Sequence, residues 1–496
     1  MAKALSLTTG GWLGNDGSWS TFLVQAGRPA QTFAVLPAIQ AQNVWLPIAE
    51  GCIRWQGAAS SCGGSRGAAP FQQRLSPGFQ ANMSSTWNAI GLYELELGKN
   101  YGITGSGLFG FDGVGLDNLT MEKLAVTAYA LPGFWVGQLG LSPLPLNFSE
   151  TISSPSLISA LKDEGHIPSL VFGYQAGASY RETKVSASLI LGGYDRSRSS
   201  EPLTVGINTA DMARSLTVGL QDIVVTNTLK GTLSLIENER ILAPIDSSVP
   251  ELWLPKSVCD RFESVFGLEY HDRTARYVLT DSARNRLREL NPTLTFTIGT
   301  NAVTGGNTTV IQIPYAAFDL QAGYPIFANA TNYFPIRRAD NESQYAIGRA
   351  FLQEAYIGVD YESGIFNVSA ARWDDLDPNI ITISNEDRDA GAARDGLSGG
   401  AIAGIVISSV TAIALCILCT WFLVLKPRRK RRQSTALVEA DEKVARDALH
   451  PAPELTGVTV HELPAKHGHN ELGEVKIVPE LGGEEHVHEL PSECVR

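Results

Sequence analysis

Up to residue 375 the chain alternates short apolar runs with segments rich in Gly, Pro, Asn and Ser. Runs of this length and alternation are typical of half-buried strands. The clearest predicted strands are 22–26, 33–36, 188–191 and 310–313. Helical spacing is rare, and it predicts helices only over 156–164, 256–266, 282–290 and 350–354. The pattern therefore predicts a mostly β region of nearly 400 residues.

One ten-residue pattern occurs twice in this region, over residues 38–47 and 246–255. Both copies follow a short apolar run and end in Trp-Leu-Pro, but the first opens with alanine and the second with aspartate. Each opening residue lies 102 residues before a glycine, Gly140 or Gly348. The constant offset of 208 residues predicts two similar lobes that each contribute a loop to a shared cleft.

Further motifs follow the same order along the chain as those of a known family. They are Gly-Arg-Pro-Ala-Gln-Thr-Phe at 27–33, Ser-Ser-Thr-Trp at 84–87, Tyr-Gly at 101–102, Gly-Phe-Asp at 110–112, Leu-Ile-Leu-Gly-Gly-Tyr-Asp at 189–195, Ile-Gly-Arg-Ala-Phe-Leu at 347–352 and Val-Asp-Tyr at 359–361. With the repeated loops, they make residues 18–372 resemble the pepsin-like aspartic proteases. The resemblance implies a mostly β, bilobal fold, with an N-terminal lobe over 18–200 and a C-terminal lobe over 201–375.

Active members of that family use two neighbouring aspartates that share one proton, because two such close negative charges cannot both persist. The resemblance places Asp246 at one of these positions and Ala38 at the other. A shift in register cannot supply the missing carboxylate, since no Asp or Glu occurs between Asp16 and Glu50. Asp246 is thus the remnant of the dyad, and the sequence predicts a protease fold without protease activity.

The loops depart from the family in a second way, because Gln40 and Ser248 stand where active members have a glycine. Ser247 retains the hydroxyl of the family's threonine, which braces the two loops. Tyr101 falls where the flap tyrosine belongs, and in active relatives that residue closes over the substrate and hydrogen-bonds the tryptophan matched by Trp45. Tyr101, Trp45 and Ser247 are therefore the candidate cleft residues. The alternative is that both aromatic residues only pack.

A membrane anchor is predicted downstream. Residues 396–425 carry no charge, and the helix predicted over 399–425 is long enough to cross a bilayer core of about 30 Å. The basic run 426–432 follows at once, which predicts a cytosolic tail over 426–496 and places the preceding region outside the cell or in a lumen. Residues 376–398 are predicted to be a polar stalk. The sequence thus predicts a single-pass type I protein of the plasma membrane or the vacuole.

Glycosylation motifs agree with this topology, since all of them precede the predicted membrane helix. The acceptor asparagines are Asn82, Asn118, Asn147, Asn307, Asn329, Asn341 and Asn367. Cys52 and Cys62 lie close together after the first loop and are expected to form a disulfide. Cys259 is then the odd cysteine of this region, either a buried thiol or half of a bridge whose partner is absent.

Charge and composition indicate which classes of partner and cofactor are not expected. The net charge of −12 argues against nucleic acid. His166 and His271 stand without other ligands at metal-binding spacing, so neither a metal nor a cofactor is expected. Residues 1–17 contain no secretory signal, which leads us to hypothesise that the true start lies upstream.

The tail from residue 433 onward has no aromatic residue, 13 acidic residues and 5 basic ones, and is expected to be disordered. Its His-Glu-Leu-Pro repeats at 461–464 and 488–491 are either part of an acidic linker or a docking motif. The tail resembles those of membrane-anchored proteins from filamentous fungi.

Three functions remain open on these grounds. The first is a glycoprotein whose protease-like ectodomain binds extended peptide or a cell-wall component without cleaving it. The second is an active, membrane-tethered aspartic endopeptidase that works at acid pH. The third is a surface scaffold or sensor that signals through its tail.

Overall fold

Most alternating runs do form strands, and those preceding residue 141 build the first half of the molecule. The computed structural model describes residues 2–52, 55, 59–373 and 377–384, with residues 59 and 60 described by backbone alone. The strands up to residue 140 are β1 Leu5–Ser6, β2 Thr9–Leu13, β3 Trp19–Ala26, β4 Gln31–Ala38, β5 Val44–Pro47, β6 Asn88–Glu94, β7 Ser106–Leu116, β8 Leu119–Tyr129 and β9 Gly137–Gly140.

Shorter strands connect the two halves. They are β10 Leu146–Asn147, β11 Ser153–Ser154, β12 Val171–Gln175, β13 Ser188–Leu191, β14 Gly193–Asp195 and β15 Leu203–Gly206. The second half contains β16 Thr217–Thr228, β17 Gly231–Ser234, β18 Ile241–Pro244, β19 Leu252–Leu254, β20 Glu269–His271, β21 Arg276–Val278, β22 Thr293–Gly299, β23 Thr308–Pro314, β24 Leu320–Ala322, β25 Thr331–Phe334, β26 Ile336–Arg338, β27 Ala355–Asp360, β28 Ile365–Ala370 and β29 Ile380–Thr382. The four predicted strands correspond to β3, β4, β13 and β23.

Helices are few among the described residues, as the sequence predicts for this region. The α-helices are α1 Ala59–Ser65, α2 Leu157–Asp163, α3 Lys256–Phe266 and α4 Asp281–Leu290. The side chain of Ser156 caps α2 and that of Thr280 caps α4, each accepting a hydrogen bond from the backbone of the first turn. The predicted helix at 350–354 is instead a single 3₁₀ turn, Phe351–Gln353, which leads directly into β27.

The three largest sheets of the described residues have eight, six and five strands. Strands of the first half form an eight-stranded sheet in the order β2-β3-β4-β9-β5-β8-β7-β6, whereas the second half contains a five-stranded sheet of β16, β17, β18, β22 and β23. A six-stranded sheet, β1-β13-β12-β27-β28-β15, takes strands from both ends of the folded region and joins the halves. This architecture is the expected mostly β, bilobal-like fold.

The ends of the folded region extend past the predicted lobes. Residues 1–17 contribute β1 and β2, which pair with β13 and β3. Strand β29, inside the predicted stalk, pairs with β14. Near it, the backbone N–H of Ala4 donates a hydrogen bond to Thr382 Oγ1 at 3.2 Å. Both termini of the folded region therefore lie beside the consecutive strands β13 and β14.

The predicted membrane helix over 399–425 and the tail over 426–496 lie outside the described residues. Within the described residues, no helix combines the length and the apolar character needed to span a bilayer. The predicted disulfide between Cys52 and Cys62 is confirmed, and it ties α1 to the turn after β5. Cys259 is a free, buried thiol, and burial raises its pKa to about 12.

Candidate functional site

The two repeated loops occupy equivalent positions in the two halves. Ala38 ends β4 and pairs with Gly140 of the parallel strand β9. In the second half, the N–H of Asp246 donates to the carbonyl of Ile347 at 3.0 Å, next to Gly348. A Cβ on Gly140 would lie 2.5 Å from the backbone nitrogen of Asn43, and one on Gly348 would lie 2.1 Å from a carbonyl oxygen. Both glycines are therefore required by the close approach of a loop.

Ser247 links one loop directly to the other. Its hydroxyl accepts a hydrogen bond from the N–H of Ile39 at 3.2 Å and donates one to the carbonyl of Pro37 at 2.7 Å. Ile39 has no hydroxyl, so the reciprocal pair of bonds cannot form. The brace that the resemblance implies is thus present from one side only.

Asp246 is completely buried at this junction. Its Oδ1 accepts hydrogen bonds from Ser248 N at 2.9 Å and Ser248 Oγ at 2.7 Å. Its Oδ2 accepts a third from the hydroxyl of Tyr101 at 2.8 Å. In the described part of the chain, none of these bonds joins Asp246 to a second carboxyl group. Asp246, at the retained dyad position, therefore accepts hydrogen bonds from two hydroxyls and one backbone amide.

Ala38, the partner position, lies in an apolar environment. Its side chain is fully buried in a cluster with Ala41, Trp45, Leu95, Leu97, Phe109, Tyr129 and Phe134. A carboxylate introduced here would have to be desolvated among hydrocarbon groups. The cluster therefore suits an alanine at this position.

The flap is closed over the second half of the molecule. It is the hairpin of β6 and β7, whose connection includes the 3₁₀ turn Lys99–Tyr101. The Tyr101 ring lies 5.0 Å from that of Trp253, at an interplanar angle of 33°. Burial and the nearby Asp246 raise the pKa of Tyr101 well above its usual value, so the phenol remains a neutral hydrogen-bond donor.

This geometry corrects the expected partner of Tyr101. Trp45 does not receive its hydrogen bond; instead, Trp45 Nε1 donates to Asn43 Oδ1 at 3.0 Å and its ring packs on Tyr129 and Phe134. Trp253, 208 residues later, is the equivalent tryptophan of the second loop. Because the flap reaches across the cleft, Tyr101 contacts the second loop and leaves Trp45 in the core of the first half.

A cavity of about 860 Å³ lies beside the closed flap. The flap residues Tyr101 and Ile103 form part of its wall, and residues 248–251 and Trp253 of the second loop form another part. Asn15, Asp16 and a turn containing Tyr324 also line it. Of the predicted cleft residues, Tyr101 lines this cavity, whereas Trp45, Ser247 and Asp246 are not among its lining residues.

Charged side chains at this cavity were not predicted from the sequence. Glu251 Oε1 lies 3.0 Å from Arg276 Nη2 and 3.7 Å from Arg337 Nη1. Asp16 Oδ2 lies 3.7 Å from Arg349 Nη2, and burial raises the pKa of Asp16 although Arg349 opposes this effect. The 208-residue offset could have revealed Glu251, which replaces the first loop's asparagine, but no motif marks Arg276 or Arg337.

Comparison with known proteins supports one family. The sequence model described as "Eukaryotic aspartyl protease" matches residues 22–372. The search of curated proteins found no match. Among the described residues, no group of three or more His, Cys, Asp or Glu is arranged to hold a metal ion.

Proposed function

This chain belongs to the eukaryotic aspartyl protease family, and from that premise we propose that its folded region binds a peptide without cleaving it. The observation that carries the proposal is that, among the described residues, no second carboxyl group is hydrogen-bonded to Asp246. Ala38 replaces the first aspartate, while the oxygens of Asp246 are bonded to Ser248 and Tyr101.

Catalysis in this family depends on two carboxyl groups with different tasks. One carboxylate activates water and the other, protonated, polarises the scissile carbonyl. Asp246 alone can perform only one of these tasks. The Tyr101 hydroxyl already donates its proton to Asp246 Oδ2 at 2.8 Å, so in the closed flap it is not directed at a substrate carbonyl.

Binding remains compatible with the site. The 860 Å³ cavity has the size of a small-molecule or short-peptide pocket and is lined by aromatic and apolar side chains with a few charged groups. Strand β6 is the outer strand of the eight-stranded sheet, so one edge of the flap hairpin has unpaired backbone groups. Such an edge favours an extended peptide that adds as a further strand.

The second candidate is an active endopeptidase at acid pH. Family membership and the retained Asp246 favour it. It would require that another acid enters the site when the flap opens. Peptide turnover by the wild type, compared with Asp246→Ala, separates it from the first proposal.

We further propose that this region is glycosylated and tethered to a plasma or vacuolar membrane by residues 399–425. Six of the seven acceptor asparagines are exposed, which supports modification, and Asn367 is half-buried. The acidic tail would then be cytosolic and available for signalling, which is the third function considered from the sequence.

Peptide capture tests the binding proposal. The full-length chain, immobilised, is exposed to a random peptide library, and eluted peptides are identified by mass spectrometry. We expect intact peptides to be enriched. Ile326→Trp, which fills the cavity, should reduce capture, whereas Val303→Trp, on an exposed residue, should not. Equal capture by both variants would contradict binding in this cavity.

A further inference from the structure

We infer that the cavity beside the flap binds a carboxylate group of its ligand, with Arg337 as the main hydrogen-bond donor. This inference rests on the proposed function, whose ligand class it names. The ligand is an acid with an apolar or aromatic body, such as the free C-terminus or acidic side chain of a peptide, or a small organic acid.

Arg337 is the first observation. Its side chain is only 16% exposed and lines the cavity. It donates no hydrogen bond to any described residue, although its guanidinium lies 4.5 Å from the Trp253 ring and 3.7 Å from Glu251 Oε1. Buried guanidinium groups are normally paired and hydrogen-bonded. A ligand that accepts hydrogen bonds would supply the missing partner.

The comparison of the two loops provides an independent observation. In the first loop, the Trp45 indole N–H donates to Asn43. The equivalent pair in the second loop is Trp253 and Glu251, yet Trp253 Nε1 is buried without an acceptor. Glu251 faces Arg276 instead, at 3.0 Å. In the second loop, the hydrogen bond between the equivalent residues is therefore absent, and Glu251 forms a buried ion pair with Arg276 at the cavity wall.

The charges at this wall favour an anion. Arg276 and Arg337 carry two positive charges, and Glu251 carries one negative charge. Asp16 is paired with Arg349 and does not change this balance. Glu50 also lines the cavity, but it is exposed, so solvent screens it. One ligand carboxylate would neutralise the remaining positive charge.

The remaining walls define the rest of the ligand. Ile103, Pro250, Tyr324 and Ile326 line the cavity and offer apolar or aromatic surface. Arginine suits a carboxylate because its planar guanidinium can donate two parallel hydrogen bonds. The cavity thus combines one acid-binding group with room for a hydrophobic body.

Matched acids and amides test the inference on the purified full-length chain. The probes are acetyl-Ala-Leu-Phe as free acid and as amide, acetyl-Ala-Glu-Leu-Phe amide against its Gln counterpart, and 3-phenylpropionate against 3-phenylpropionamide. Dissociation constants are measured by calorimetry for wild type, Arg337→Gln, Arg337→Lys and the remote control Arg286→Gln. Arg286 is an exposed residue of α4.

We expect at least one acid to bind about tenfold or more tightly than its amide. That ratio should fall to about one in Arg337→Gln, recover in part in Arg337→Lys, and persist in the control. The pair that shows the difference identifies the source of the carboxylate. Melting temperatures confirm that each variant is folded.

The failures are distinguishable. Equal binding of acid and amide peptides would overturn the carboxylate inference and leave peptide binding intact. A preference confined to 3-phenylpropionate would support the acid site and contradict the peptide proposal. If no probe binds wild type, the carboxylate inference is overturned, and library capture then decides the peptide proposal separately.

Discussion

The hydroxyl of Tyr101 donates a hydrogen bond to Asp246 Oδ2 at 2.8 Å, which joins the flap of the first half to the loop of the second. The bond closes the cleft over the only carboxylate that remains at the dyad positions. Tyr101 therefore both covers the cleft and donates a hydrogen bond to a buried carboxyl group.

Removing this hydroxyl should loosen the flap. Tyr101→Phe leaves Asp246 Oδ2 without a donor and should lower the free energy of unfolding by about 1–3 kcal/mol. Amide hydrogen exchange of residues 98–103 should also accelerate. Tyr93→Phe is the matched control, since Tyr93 lies on the same hairpin and its hydroxyl makes no hydrogen bond to a described residue. Equal effects of the two substitutions would contradict this role.

Ser247 should stabilise the junction through its two bonds to the first loop. Ser247→Ala removes the partners of Ile39 N and Pro37 O, and we expect a loss of about 1–3 kcal/mol in urea unfolding. Ser247→Thr retains a hydroxyl and should lose less. The prediction fails if the alanine and threonine variants are equally stable.

Gly348 should tolerate no side chain. Gly348→Ala would place Cβ 2.1 Å from the carbonyl oxygen of Glu251, and forcing the loop apart should cost about 3 kcal/mol. Gly358→Ala meets no atom within 4 Å and provides the control. Thermal unfolding of both variants measures the difference. If Gly348→Ala unfolds at the same temperature as the wild type, the two loops are not so closely packed.

Acid should weaken the ion pair between Glu239 and Arg261 in the second half of the molecule. Burial raises the pKa of Glu239, but hydrogen bonds from Arg261, Ser257 and the backbone outweigh it and lower the pKa to about 2. A lowered pKa contributes stability above the unfolded value of 4.5, and this contribution disappears as pH falls toward 2.

Glu239→Gln should therefore destabilise the protein by about 1 kcal/mol at neutral pH. The difference from wild type should vanish near pH 2. Unfolding by urea across this range measures it, with Glu289→Gln as a control on an exposed ion pair. A difference that does not depend on pH would contradict this assignment.

The repeated loops show which features of the fold could be predicted from the sequence. Trp-Leu-Pro endings and a fixed spacing to Gly140 and Gly348 are local signals, because the close contacts of these glycines restrict the residue type. The same spacing identified Ala38 and Asp246 as equivalent positions. Helix α3 was also evident, since its apolar face and the following Gly267 are encoded within a few residues.

Contacts between residues far apart in the chain could not be predicted from such local signals. Tyr101 was expected beside Trp45, but the closed flap places it beside Trp253, and that choice depends on how two distant hairpins and loops pack. Arg337 lies on a short strand that pairs with the second loop, and nothing in its local sequence marks a cavity. Such groups become candidates only when burial and missing hydrogen bonds are known.

Peptide turnover tests the central claim most directly. The purified full-length chain and its Asp246→Ala variant are incubated with a peptide library from acid to neutral pH, and new peptide termini are counted by mass spectrometry. We predict no cleavage by either protein, since neither has a carboxylate at both dyad positions, 38 and 246. Cleavage by the wild type that is lost in Asp246→Ala would contradict the account and identify a protease that works with a single dyad aspartate.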